Sequence, residues 1–73
     1  MSLTATSRLA ERHCREQGQA IPAQELLAWL ATQGIDAERA HAGITFAVTV
    51  GRLETFQDPN GRPYLRTTER TTR

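Results

Sequence analysis

The tetrapeptide Asp58-Pro59-Asn60-Gly61 constrains this chain more than any other feature of it. It is a type I turn sequence, in which Pro at the second position presets φ at about −65°. Gly at the fourth supplies the left-handed residue of a G1 bulge, so the segment predicts a β-hairpin over 53–67. Such a turn sets the register: pairing Asp58 with Arg62 puts Phe56 opposite Tyr64 and Glu54 opposite Arg66. One aromatic pair and two opposite-charge pairs then share a face, and a slip of one residue destroys all three. Leu53 and Leu65 point to the other face, toward an expected core. Pro63 falls opposite Gln57, where it need not donate to the ladder, as expected of an edge strand.

Helical spacing dominates the chain before this hairpin. Leu9, Ala10, His13, Cys14 and Gln17 recur at helical intervals, with Thr4, Thr6 or Ser7 available as N-caps and Gly18 placed to end the helix. On the outer face, Glu11 with Arg15 and Arg12 with Glu16 form i,i+4 pairs. Pro22 forces Ile21 into an extended conformation and suits the first turn of a second helix. That helix carries the stripe Ala23, Leu26, Leu27, Leu30 and Ala31 and stops near Gly34. Asp36 is a good N-cap for a third helix, with Glu38 near its positive end.

Residues 44–50 support two readings. A helix from 36 to 50 places Ala37, Ala40, Ile44, Ala47, Val48 and Gly51 on one face, whereas Ile44-Thr45-Phe46-Ala47-Val48-Thr49-Val50 also alternates and is rich in β-branched residues. The first gives three helices followed by a β-hairpin. The second gives two to three helices followed by a three-stranded meander. Both are α+β.

Length limits the chain to one domain: 73 residues, with 38% hydrophobic residues and four aromatics, make one thin core that a second copy or another partner would help to stabilise. The domain is expected over 1–67, followed by a polar tail, 68–73, with no apolar anchor. The longest uncharged stretch, Ala40 to Gly51, is too short and too polar to span a bilayer, and the N-terminus lacks the pattern of a secretory signal. A cytoplasmic setting is therefore expected, without membrane association.

Charge is unevenly placed. All nine cations are arginines; residues 1–51 carry a net −1 and residues 52–73 a net +2. An anionic partner should meet the C-terminal third.

Little here can do catalysis. The single cysteine, Cys14, cannot form an internal disulfide, and Cys14, His13 and His41 lack metal-ligand spacing. Adjacent residues on a helix diverge by about 100°, so His13 is badly placed to activate Cys14, which reads instead as a small buried hydrophobe. Phosphate-binding glycine loops and Ser-His-Asp or paired-carboxylate arrangements are not recognisable. Neither an enzyme, a cofactor nor a metal is expected.

Gly34-Ile35-Asp36 at the second turn, Ala40, Ile44 and Ala47 along the third helix, and Gly51-Arg52-Leu53 before the hairpin resemble the winged helix-turn-helix superfamily. The order helix, short extended segment, helix, turn, helix, basic hairpin is similar as well, from Arg8 to Thr67. Leu30 departs from the pattern by standing where many such motifs carry alanine. Phe46 and Val50 depart by flanking the buried stripe.

The resemblance implies a DNA-binding protein, a regulator of transcription or of a mobile element, acting as a dimer. Its third helix would enter the major groove and its hairpin wing would touch the backbone of double-stranded DNA. Carried onto this sequence, the helix offers Arg39 as a base reader with His41, Thr45 and Thr49, and the wing offers Arg52, Arg62 and Arg66. Arg62 and Arg66 have a plainer use as cross-strand partners of Asp58 and Glu54. The alternative is a winged-helix module for protein–protein contact, an inhibitor or accessory subunit. Its anchors would be Trp29, otherwise a core-edge residue, and Phe46.

Overall fold

The computed structural model describes residues 2–68; the end of the polar tail, with Arg70 and Arg73, lies outside them. The elements follow in the order α1 (Leu3–Gln17), β1 (Ile21–Pro22), α2 (Ala23–Thr32), α3 (Ala37–Thr49), β2 (Leu53–Gln57) and β3 (Pro63–Thr67). Three helices and a three-stranded antiparallel sheet, ordered β1-β3-β2, make a small α+β fold consistent with a winged-helix-like layout.

Ser2 caps α1, its hydroxyl accepting from the Ala5 amide at 3.1 Å. The expected caps Thr4, Thr6 and Ser7 instead lie inside the helix. Thr6 and Ser7 are 1% and 0% exposed, which their hydroxyls tolerate because they donate to the carbonyls of Ser2 and Thr4 at 3.1 and 3.0 Å. These small residues meet Gly43 of α3, where an added Cβ would stand 2.3 Å from Thr6 Cγ2. Gly43 is thus the residue that lets the two helices approach so closely. Arg15 bonds Glu11 at 2.9 Å as expected. The buried stripe of α1 is Thr6, Ser7, Ala10 and Cys14, with Leu9 and His13 beside it and Gln17 exposed.

Leu26 and Leu30 are the fully buried residues of α2; Ala23 and Leu27 flank them and Ala31 is exposed, so the stripe is narrower than its spacing suggests. Gly34, with φ of 85°, takes the left-handed turn that ends the helix, and the Ile35 amide reaches back to the Leu30 carbonyl at 3.2 Å.

Residues 44–49 are helical, and the helix ends one residue earlier than expected, with Val50 as its C-cap. Asp36 caps its start, accepting from the Arg39 amide at 2.8 Å. The alternating reading fails because Ala40, Gly43, Ile44 and Ala47 are the residues the core takes, and only helical spacing aligns them. A strand would have grouped Ile44 and Phe46 with Val50, which is 48% exposed.

The hairpin has the predicted register, with Glu54 opposite Arg66, Phe56 opposite Tyr64 and Gln57 opposite Pro63. Gly61 adopts φ of 82°, and its amide donates to the Asp58 carbonyl at 2.8 Å. The Asp58 carboxylate accepts from the amides of Asn60 and Arg62 at 2.9 and 2.8 Å. Leu53 and Leu65 are buried, as expected.

Two features of the sheet depart from expectation. Ile21–Pro22 is a third strand, pairing Ile21 with Leu65 and Pro22 with Tyr64. This puts β3 in the centre rather than at the edge. Pro63 is still tolerated, since β1 reaches only as far as Tyr64 and leaves no carbonyl opposite it. Thr68 is held to the start of β2 by bonds from its amide to the Arg52 carbonyl and from its hydroxyl to the Gly51 carbonyl.

The core is aliphatic and small; Trp29, Phe46 and Tyr64 are half-buried, and Phe56 is exposed. Cys14 belongs to this core. Burial, and secondarily the Glu11 carboxylate, push its thiol pKa up to about 11. At neutral pH the folded protein holds almost no thiolate, the reactive form. A thiol reagent should therefore label Cys14 only at the rate of unfolding, rising in step with urea-induced loss of helix; rapid labelling without denaturant would contradict this.

Candidate nucleic-acid interface

The exposed side of α3 is organised by what its buried side requires. With Ala40, Gly43, Ile44 and Ala47 turned inward, Glu38, Ala42, Thr45 and Thr49 form the row farthest from the core. Arg39 and Phe46 fall on one flank of that row, His41 and Val48 on the other. Arg39 is exposed, and its Nε stands 4.0 Å from Asp36 Oδ2, a contact too exposed to hold it. Thr49 donates its hydroxyl to the Thr45 carbonyl at 2.9 Å.

The hairpin runs from the end of α3 back alongside it, and its turn comes to the His41 flank. His41, Arg62 and Asn60 border one groove of about 590 Å³, closed on its third side by the start of α2 at Gln24 and Glu25. Arg62 is exposed and has no ion pair among the described residues, since Asp58 is occupied by the turn amides.

Arg52 and Arg66, the other arginines at the hairpin, are engaged. Arg66 Nε bonds Glu54 Oε2 at 2.8 Å, and its guanidinium lies 4.9 Å from the centre of the Phe56 ring. Phe56 in turn stacks on Tyr64, with ring centres 5.7 Å apart. Arg52 is half-buried and donates to the Ser7 hydroxyl at 3.1 Å, tying the root of the hairpin to α1. Of the residues singled out from sequence, the fold thus brings His41 and Arg62 together, sets Arg39 on the far flank of α3 and turns Arg52 toward α1.

Comparison with protein-family models, with curated proteins and with solved structures gives no match.

Trp29 is half-buried and stacks on His13, with ring centres 3.9 Å apart and planes inclined by 11°. The imidazole is therefore packed against α2, while Cys14 points into the core. No three His, Cys, Asp or Glu side chains cluster as a metal site among the described residues, and no described helix is long and apolar enough to cross a membrane. The sequence marks Asn60 only as a turn residue and Ala23 and Leu27 only as core-face residues of a helix, and nothing local links Gln24 or Glu25 to a hairpin so distant in the chain.

Proposed function

We propose that this chain is a winged-helix protein that binds double-stranded DNA, with α3 in the major groove and the turn of the hairpin on the phosphate backbone. The observation that carries the reading is the groove shared by His41 and Arg62. A helix with a free outer face and a loop arginine without an ion pair stand side by side, the arrangement needed to hold one duplex at two points. Regulation of transcription or of a mobile element is the role such a module fits, and a dimer would double a contact that is weakly basic in one copy.

Among the arginines of α3 and the hairpin, Arg62 and Arg39 are the most available to DNA, with Arg66 reachable only by leaving Glu54. One to two phosphate contacts per protomer, from Arg62 and from Arg66 once it leaves Glu54, predict that log affinity falls against log salt with a slope of about −1 to −2. The test is a mobility shift on mixed-sequence duplex over a salt series. Arg62→Ala should weaken all sequences alike and flatten the slope by about 1, whereas Arg39→Ala should weaken preferred sequences selectively. Absence of any duplex binding at low salt would remove the proposal.

One observation favours a second reading, a protein-binding module: Phe56, 37% exposed, stands with Tyr64 and the Arg66 guanidinium on the open face of the sheet. In that case duplex DNA is not bound, and Phe56→Ala rather than Arg62→Ala abolishes capture of the partner.

A further inference from the structure

The two edges of the sheet differ in character. β1 is only two residues long and ends in Pro22, which has no amide to offer a further strand. β2, the other edge, runs five residues, Leu53–Gln57, with no proline, lysine or bulge among them. Its bonds to β3 alternate, and those from the Asp58 amide to the Arg62 carbonyl and from the Thr68 amide to the Arg52 carbonyl fix which residues face β3. These are Arg52, Glu54, Phe56 and Asp58. Leu53, Thr55 and Gln57 therefore turn their amides and carbonyls to the open side, where they have no backbone partner among the described residues.

This edge is complementary to itself in one register. A two-fold axis through Thr55 lays β2 antiparallel on β2 of a second copy over its full length. Leu53 then pairs with Gln57 of the second copy and Thr55 with its own counterpart, each pair exchanging both main-chain bonds. Between them Glu54 comes opposite Phe56 of the second copy, in the closer, non-hydrogen-bonded type of pair. With Leu3 and Val50, Phe56 is one of the large apolar side chains left exposed, and the stem of Glu54 would cover its ring. The Glu54 carboxylate stays bonded to Arg66 of its own chain at 2.8 Å, so no unpaired charge enters. Moving the axis to Glu54 would set two carboxylates directly opposite each other, and moving it to Phe56 would bring Glu54 against Asp58. Both shifts also shorten the overlap.

We propose that β2 is the interface of a homodimer, in which two three-stranded sheets join edge to edge about a two-fold axis at Thr55. Dimerisation through β2 is independent of DNA binding, and failure of either leaves the other standing.

Sedimentation velocity from the micromolar to the millimolar range tests this, with circular dichroism as the check on folding. The natural protein should pass from monomer to dimer as concentration rises, and the amides of Leu53, Thr55 and Gln57 should then exchange with solvent more slowly. Thr55→Pro should remain monomeric with its fold intact, because the amide it removes faces away from β3. Thr55→Lys and Thr55→Glu each set like charges opposite each other at the axis and should weaken the dimer by about threefold to fivefold, whereas an equimolar mixture of the two should regain the natural affinity. A natural protein that stays monomeric at millimolar concentration overturns the inference. So does a dimer that survives Thr55→Pro, or one whose Thr55→Lys and Thr55→Glu forms gain nothing on mixing, since residue 55 would then lie away from the axis. Amide exchange of Leu53, Thr55 and Gln57 that does not change with concentration in the natural protein overturns it whatever the fate of the variants.

Discussion

Adding one methyl group at Gly43 is expected to destabilise the protein by about 2–3 kcal/mol and to lower its melting temperature by about 10–20 °C. Gly→Ala inside a helix ordinarily stabilises by about 1 kcal/mol, so the sign of the effect is itself informative. Here the new Cβ would lie 2.3 Å from Thr6 Cγ2 and 2.7 Å from Thr6 Cβ, with the Ser7 backbone nitrogen behind them at 3.5 Å. Thr6 is buried and its hydroxyl is bonded to the Ser2 carbonyl, so it cannot swing aside without losing that bond. The helices would have to separate along the most extensive inter-helix contact of the fold, α1 on α3. Thr6→Ala should relieve Gly43→Ala only in part, because it removes Cγ2 and keeps Cβ. Thr6→Gly should relieve it further, at the cost of a glycine within α1. Thermal melts of the three proteins check this series; a melting temperature raised by Gly43→Ala alone would contradict the close approach.

Leu30→Ala should cost about 3 kcal/mol of a total stability on the order of 5 kcal/mol, leaving about 2 kcal/mol. Leu30 has no exposed surface, and its carbonyl accepts from Gln33 and Ile35 at 2.9 and 3.2 Å, closing the turn between α2 and α3. Its side chain belongs to the core where α2 gives way to the turn that leads into α3. A core whose aromatics all lie at the rim has few large groups to close the resulting cavity. Loss of α3's position would remove any activity carried by its outer face as well. Urea denaturation measures the change. A shift below about 1 kcal/mol would mean that the site collapses around alanine, and that the larger side chain has no role in fixing the turn.

What could be read from the sequence was local. The hairpin register followed from Asp58-Pro59-Asn60-Gly61 because the turn's hydrogen bonds and the cross-strand pairs are made by residues adjacent to the turn itself. The stops of α1 and α2 and the start of α3 followed from Gly18, Gly34 and Asp36 for the same reason: caps act on the nearest turn. Hydrophobic spacing located the inner faces but overstated their width, since Gln17 and Ala31 fit the period and remain exposed where nothing packs over them.

The rest was decided by how the elements dock. The pairing of Ile21 with Leu65, the Arg52–Ser7 bond across 45 residues, the Thr6–Gly43 approach and the groove between His41 and Arg62 join segments far apart in the chain. No local pattern marks such partners, because each contact depends on interhelical distance and sheet order, which are properties of the packed core as a whole. Even the helix over 44–49 belongs here: its residues satisfy both periods, and the choice fell to the one that buries Ala40, Gly43, Ile44 and Ala47 together against α1 and α2. The sequence by itself determined where the chain turns and which residues pair across the hairpin. The tertiary structure decided which arginines of the hairpin are engaged, since an ion pair or a buried hydroxyl acceptor is available only where folding has placed one.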